Sequence, residues 1–220
     1  MSVITVFRRA GCAGRYIAEG LSQSLGYHLS DYQTAGSVLR EYGLVKFPEI
    51  YGSSADFWDL FTGRGSERGE INSMLRLVTL AQARHGNVVM LGRGCFAPLQ
   101  GLSDVLNVHV KAPLPLRTER VMDAHQMTSD EAAAFIEEKD ALVDGFARTS
   151  HGLSPDDATL FDLVIDTGKV EPDVAIRWLV EAVGALEGGS EDGATTSTLS
   201  VDSVLARVVS RELGCSGSHG

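Results

Sequence analysis

The run VFRRAGCAGRYIAEGL, residues 6–21, joins the end of an apolar strand to a glycine-containing loop and the start of a helix. Such a turn is typical of loops whose backbone N–H groups cradle phosphates. Against the general pattern G-x-x-x-x-G-K-[ST], Gly14 fits the second glycine, but Arg9 stands at the first. Arg15 takes the place of the lysine, and Tyr16 takes the place of the hydroxyl residue. Taken alone, the run fits an anion site and a structural turn equally well.

Short apolar runs alternate with helical patterns along the rest of the chain. The predicted strands are 2–7, 27–33, 87–94, 104–112 and 161–167, and the predicted helices are 17–26, 34–43, 71–86, 113–126, 128–149 and 171–186. Thr128 or Ser129, followed by acidic residues, predicts the N-terminal cap of one helix. The strands are apolar without polar alternation, which predicts an α/β fold with a parallel sheet covered by helices on both faces.

The composition is that of an acidic globular protein. The chain has 220 residues, of which 44% are hydrophobic, and a formal net charge of −10. This charge opposes binding to a nucleic acid polymer or an anionic membrane. No apolar run reaches the ~18 residues that a membrane span needs. The three cysteines indicate neither a disulfide framework nor a zinc site. We expect a cytoplasmic protein whose ligands are small phosphates.

The composition changes near residue 187. EGGSEDGATTSTLS is a polar linker, and VDSVLARVVSREL is the helical pattern that follows it. These patterns predict a domain at 1–186, a linker at 187–200 and a short helical tail at 201–220. We expect the tail to be flexible because its composition offers little apolar surface to bury. The tail is a candidate for recruiting a protein partner, and a homodimer is a separate candidate assembly. The segment 46–68 has poor periodicity and is expected to be a mobile substrate-side segment.

The order of several sequence segments along the chain is informative. The opening strand-loop-helix is followed by VVMLGRG, NVHVKAPLPLR, EEKDALVDGF and FDLVIDTGKV. Over residues 2–185 this order resembles the cytidylate kinase-like family of phosphate-loop nucleoside monophosphate kinases. Members commonly carry a loop like S-R-x-x-G-S-G-G-R, so Arg15 is a family trait, whereas Cys12 and Ala13 depart from the pattern. Ala13 is tolerated if its φ is negative and costly if its φ is positive.

The resemblance implies a phosphate-loop nucleotide-kinase fold with a helical lid, ATP and Mg²⁺ as cofactors, and a CMP-like or other small acceptor. No side chain is assigned to metal, although Asp31 is a candidate contact for nucleotide or metal. The implied donor-binding residues are Gly11, Cys12, Ala13, Gly14, Arg15 and Tyr16. The implied acceptor-binding residues are Asp31, Arg93, Lys139 and Asp140. The implied catalytic cations are Arg15, Arg117, Arg120 and Arg148.

Whether the chain is predicted to be an active kinase depends mainly on the lid cations. Arg117 and Arg120 are three residues apart on a predicted helix and so share a face. Relatives place an arginine near position 143, where this chain has Val143, which leaves Arg148 as the nearby replacement. The sequence therefore leaves two functions open: a phosphotransferase, and a nucleotide-binding regulatory protein that has lost catalysis. A kinase for another small acceptor is a third reading.

Overall fold

The computed structural model describes residues 1–42, 67–92, 94–187 and 193–215. Its strands are β1 (Val3–Arg8), β2 (His28–Ser30), β3 (Val88–Leu91), β4 (Val105–Lys111) and β5 (Leu163–Asp166). Its helices are α1 (Gly14–Leu25), α2 (Tyr32–Glu41), α3 (Glu67–His85), α4 (Leu114–His125), α5 (Ser129–His151), α6 (Pro172–Glu187) and α7 (Ser203–Cys215). The described part of the segment expected to be irregular, residues 67–68, begins α3, while 46–66 lies outside the described residues.

The five strands form one parallel sheet in the order β2-β3-β1-β4-β5, which confirms the predicted architecture. β1 lies at the centre, where Val6 pairs with Leu91 of β3 and Val108 of β4. One face of the sheet packs against α1 and α6, and the other packs against α3. Strands buried on both faces need apolar side chains at successive positions, which is why they do not alternate. The loop after β1 therefore lies at the carboxyl edge of the sheet.

Helices α4 and α5 form a hairpin beside that edge. The backbone N–H of Thr128 donates to Glu131 Oε2 at 2.8 Å, and the Thr128 hydroxyl accepts from the Glu131 N–H at 3.4 Å. This reciprocal pair is a capping box, so the predicted cap at Thr128 is confirmed. It fixes the start of α5, whose later turns reach the loop after β1.

The C-terminal helix is packed against the domain, so the expectation of a flexible tail is wrong for its described residues. Leu205, Val209 and Leu213 of α7 are at most 2% exposed. They pack in one apolar cluster with residues of α2 and α3. Their four-residue spacing is that of a helix with one buried face, and this stripe supplies the apolar surface that the composition did not suggest. The proposed domain boundaries at 186 and 200 stay predictions.

None of the helices in the described part of the chain is both long and apolar enough to cross a bilayer.

Candidate functional site

The loop after β1 lines an open cavity at the start of α1. Residues 8–15 line this cavity, which has a volume of about 160 Å³. Gly11 has a φ of +75°, and Ala13, the residue before α1, has no side chain that caps the first-turn N–H groups. Uncapped N–H groups at a helix start favour an anion. We call residues 8–16 the loop and this space the loop cavity.

Two glycines of the loop are required by close neighbours. A Cβ on Gly11 would lie 2.6 Å from the carbonyl oxygen of Arg117, in addition to the strain of its positive φ. A Cβ on Gly14 would lie 2.5 Å from the Cβ of Arg8. A larger residue at either position would push α4 or β1 away from the loop.

Ala13 has a positive φ, which the sequence analysis identified as the costly conformation for an alanine. Its φ is +61° and its ψ is 16°, which is the left-handed region. An L-residue with a Cβ loses about 1–2 kcal/mol there relative to the right-handed region. The loop therefore keeps the backbone path that a glycine would favour, and the chain bears the strain.

Arg117 and Asp140 form hydrogen bonds to the loop from outside the loop cavity. Arg117 is 7% exposed, and its Nε donates to the carbonyl oxygen of Ala10 at 2.6 Å. Its Nη2 pairs with Asp140 Oδ2 at 2.5 Å. The other carboxylate oxygen, Asp140 Oδ1, accepts from the N–H of Ala10 at 3.2 Å. The two side chains thus hold both polar groups of one peptide residue, while their contact with a nucleotide stays a prediction.

Arg120 reaches the same loop one turn further along α4. Its Nη1 donates to Thr167 Oγ1 at 2.9 Å and to the carbonyl oxygen of Gly11 at 3.3 Å. Thr167 Oγ1 donates to the carbonyl oxygen of Cys12 at 3.0 Å. The structure therefore brings Arg117 and Arg120 together at the loop, as their spacing predicted. Thr167, which links the end of β5 to the loop, was not singled out in the sequence.

Arg15 and Asp31 form a charged pair beside the loop cavity. Arg15 Nη2 lies 3.1 Å from Asp31 Oδ2, and Nη1 lies 3.2 Å from Glu19 Oε1. Burial lowers the pKa of Arg15, but the hydrogen bonds to the two carboxylates outweigh it, so the net shift is upward. Asp31 Oδ1 accepts from two N–H groups in the first turn of α2, those of Gln33 and Thr34. Asp31 therefore joins Arg15 to the start of α2.

Cys12 and Tyr16 take different directions from the loop. Cys12 is 1% exposed, and its Sγ donates to the carbonyl oxygen of Arg9 at 3.0 Å. Burial raises the pKa of the Cys12 thiol, which keeps the group neutral. Tyr16 is exposed, and its hydroxyl donates to Asp173 Oδ1 at 2.8 Å, near the start of α6. Its side chain thus bonds away from the loop cavity.

A larger cleft of about 380 Å³ adjoins the loop cavity. Its walls come from the loop, the start of α2, the end of β3 and the α4–α5 hairpin. Lys139 and Val143, one turn apart on α5, both line it. Lys139 Nζ lies 3.0 Å from Glu138 Oε1 and 5.4 Å from the centre of the Phe135 ring. An apolar residue and a cation thus share the face of α5 that looks into the cleft.

Arg148 is placed differently from the other predicted cations that the structure describes. Arg148 is exposed and does not line the cleft, because five residues of helix turn it by about 140° from Val143. Its assignment as the replacement lid cation is therefore not supported by its position. Arg93 lies outside the described residues.

Arg8 is a candidate that the sequence analysis did not single out. It ends β1 and lines both the loop cavity and the cleft. Burial lowers its pKa, although an arginine stays charged at neutral pH. Among the described residues its guanidinium has no hydrogen-bonded partner and no ion pair. The sequence contained the information that identifies Arg8, because Arg8 occupies the position of the arginine that follows the serine in S-R-x-x-G-S-G-G-R.

Arg9 fastens the loop to α5 and to the segment after it. Its Nη2 lies 2.8 Å from both Asp144 Oδ2 and Asp156 Oδ1. Asp144 is one helical turn beyond Asp140, which bonds to Ala10. Neighbouring carboxylates on one face of α5 therefore hold consecutive residues of the loop.

A family model described as the cytidylate kinase-like family matches residues 3–169. The chain belongs to this family. A cytidylate kinase from Methanocaldococcus jannaschii is 30% identical over 125 residues, which are 56% of this chain and 66% of that protein, just under two thirds of its length. A cytidylate kinase from Ignicoccus hospitalis is 27% identical over 180 residues, which are 80% of this chain and 96% of that protein.

The fold is also found among solved structures. An uncharacterized protein from Eubacterium ventriosum superposes with a TM-score of 0.67 at 16% sequence identity. The superposition covers 83% of this chain and 98% of that chain. At this identity the likeness shows the fold alone. The family match ends before α6, so α7 lies beyond it.

Proposed function

We propose that this family member transfers the γ-phosphoryl group of ATP to a nucleoside monophosphate, with CMP as the first acceptor to test. The observation that carries the proposal is the junction of the two spaces. The loop cavity and the cleft share four lining residues, Arg8, Ala10, Gly11 and Arg15. A donor in the loop cavity and an acceptor in the cleft would therefore meet beside two guanidinium groups.

The residues at this junction suit phosphoryl transfer. The reaction needs little covalent chemistry from the protein, and positioned cations stabilise the charge of the transition state. Arg15 is held by Asp31 and Glu19, so its position is set before a ligand arrives. Arg8 has no such partner among the described residues and is available to phosphate oxygens. Forked guanidinium groups suit such oxygens well.

Magnesium would enter with the donor phosphates. The described residues contain no group of three His, Cys, Asp or Glu side chains that could hold an ion. The Asp31 carboxylate in the lining of the cleft fits Mg²⁺, because in kinase sites the ion keeps several waters and is held by one or two carboxylates and the phosphates. When bound, it neutralises charge on the donor phosphates. Asp31 is the carboxylate that lines the cleft.

The aromatic side chains that line the cleft favour an acceptor that carries a planar ring. Tyr32, His125 and Phe135 line the cleft, and the rings of His125 and Phe135 have centroids 5.1 Å apart. Nucleobases stack on aromatic side chains of this kind. The two relatives described above are named cytidylate kinases, which supports a pyrimidine nucleotide as the acceptor.

Two features favour the alternative of a nucleotide-binding regulatory protein. Ala13 strains the loop, and Val143 places an apolar side chain on the cleft wall where relatives carry an arginine. Removing a cation that acts in the transition state lowers turnover while ground-state binding is largely kept. Activity with an acceptor therefore separates the two functions.

The test is a coupled assay of ADP release with MgATP and CMP, dCMP, UMP, AMP or GMP as acceptor. We expect release above the ATP-only rate with a pyrimidine monophosphate, and a clear loss in Arg8→Ala and Arg15→Ala. The matched control is Arg177→Ala, an exposed arginine on α6. Nucleotide binding without release for any acceptor would support the regulatory function instead.

A further inference from the structure

Helix α7 lies beyond the family match and is built into the domain. Its buried residues share one cluster with Val38 and Leu39 of α2, Val78 of α3 and Phe146 of α5. The exposed fraction of each of these side chains is 5% or less. The apolar face of α7 is therefore used inside its own chain, and it ties together three helices that are distant in sequence.

The segment before α7 is anchored by polar contacts. Asp104 accepts from the Thr196 N–H at 2.8 Å and from the Thr196 hydroxyl at 2.6 Å. Arg84, in the last turn of α3, donates to the carbonyl oxygen of Ser197 and, at 2.9 Å, to that of Leu199. The N–H of Ser103 donates to the carbonyl oxygen of Ala194 at 2.9 Å. The segment thus has a fixed path from the sheet to α7.

α7 contacts the last residue of α2 and the residue that follows it. Near its start, Asp202 Oδ1 accepts from the Tyr42 hydroxyl at 3.3 Å and caps α7 by accepting from the Leu205 N–H at 3.0 Å. Near its end, Arg211 forms an ion pair with Glu41. The two polar contacts flank the apolar stripe, so α7 holds the C-terminal end of α2 at two points.

The opposite end of α2 forms part of the cleft. Asp31, which caps α2 and pairs with Arg15, lines the cleft together with Tyr32. A helix of ten residues is a rigid rod about 15 Å long, so fixing one end restricts the other. We propose that residues 193–215 form a brace that positions α2, and through it Asp31 and Tyr32, for the acceptor in the cleft.

The brace acts on the acceptor directly, and it reaches the donor only through the Asp31–Arg15 pair. The loop cavity is lined by residues 8–15, and none of them belongs to the apolar cluster that holds α7. Loosening the brace should therefore raise the KM for the acceptor severalfold while the KM for ATP and kcat change less. This expectation rests on the proposed function, but the mobility of α2 does not, and it is measured separately.

The experiment compares three variants of the full chain. Val209→Asp places a charge in the buried stripe, and the double variant Tyr42→Phe with Arg211→Ala removes only the two polar contacts. Ser210→Ala, on the exposed side of α7, is the matched control. For the first two variants we expect faster amide hydrogen exchange in α2 and a two- to tenfold higher KM for CMP. For the control we expect no change in either quantity.

Each result bears on the brace. If Val209→Asp does not fold, the double variant decides, because it leaves the apolar cluster intact. Fast exchange in α7 with unchanged protection of α2 would overturn the proposal, as would equal increases in the KM values for CMP and ATP. If no acceptor is phosphorylated, CMP affinity is measured by calorimetry, and faster α2 exchange with weaker CMP binding would support the brace although the proposed function had failed.

Discussion

His109 couples the stability of the fold to pH. It is 7% exposed on β4, and its ring centroid lies 5.0 Å from that of Phe7 and 4.9 Å from that of Phe161. Burial, and then the nearby Arg9 cation, lower the pKa of His109 to about 4. The folded protein therefore keeps this imidazole neutral at pH values at which the unfolded chain protonates it.

The linkage has a definite sign. Because the folded pKa is about 4 and the ordinary value is 6.5, stability from this group is complete above pH 6.5 and is lost as the pH falls toward 4. The difference corresponds to about 3 kcal/mol of unfolding free energy. Between pH 7 and pH 4, the free energy of unfolding should therefore fall by about 3 kcal/mol less in His109→Phe than in the wild type. Urea unfolding at several pH values measures this difference. The control, His125→Gln, alters an exposed ring, and parallel curves for the wild type and His109→Phe would contradict the prediction.

The residues of the site differ in how far the sequence reveals them. The glycines and Arg15 of the loop follow from a local pattern, because the run from strand to helix fixes where the backbone must turn. The cost at Ala13 depends on its φ, which the sequence left open and the structure gives as +61°. The roles of Arg117 and Thr167 depend on contacts with residues more than a hundred positions away. No local pattern carries that information.

At the scale of elements, α5 is the support of the site. Asp140 and Asp144 hold the loop, while Lys139 and Val143 face the cleft. Helical periodicity and the cap at Thr128 predicted this helix, and they also place residues 139 and 143 on one face. The resemblance to relatives assigned the lost positive charge to Arg148, but helical geometry favours Lys139.

This difference gives a prediction about two cations of one helix. Lys139→Ala should lower kcat about ten- to thirtyfold, which corresponds to about 1.4–2 kcal/mol of transition-state stabilisation. Arg148→Ala removes the same charge at an exposed position outside the cleft and should change kcat less than twofold. Steady-state kinetics with saturating MgATP and the acceptor measure both. A larger loss in Arg148→Ala than in Lys139→Ala would restore the assignment made from the resemblance.

At the scale of the molecule, the sheet and its coverage were predictable and the role of the C-terminus was not. Apolar strands alternating with helices admit few arrangements, so the parallel sheet follows from the order of the patterns. The sequence predicted the C-terminal helix, but the polar linker before it contains few apolar residues, and the composition of the two taken together did not indicate that the helix is packed against the domain. The stripe of Leu205, Val209 and Leu213 was visible, but its partners on α2 and α3 emerge only when the domain is folded.

The last prediction uses the melting temperature of the whole chain, Tm, to detect nucleotide binding in the loop cavity. A ligand that binds only the folded protein stabilises it by about 2.7 kcal/mol at a hundred times its Kd. For a chain of 220 residues this corresponds to a rise in Tm of about 5–10 °C. MgATP should produce this rise, and Arg15→Ala should reduce it severalfold at the same concentration, because Arg15 borders both the cavity and the cleft. Arg177→Ala, which alters an exposed position on α6, should respond like the wild type. An unchanged Tm at every MgATP concentration, for a protein that unfolds cooperatively, would mean that the loop cavity does not bind a nucleotide, whatever its resemblance to phosphate-binding loops.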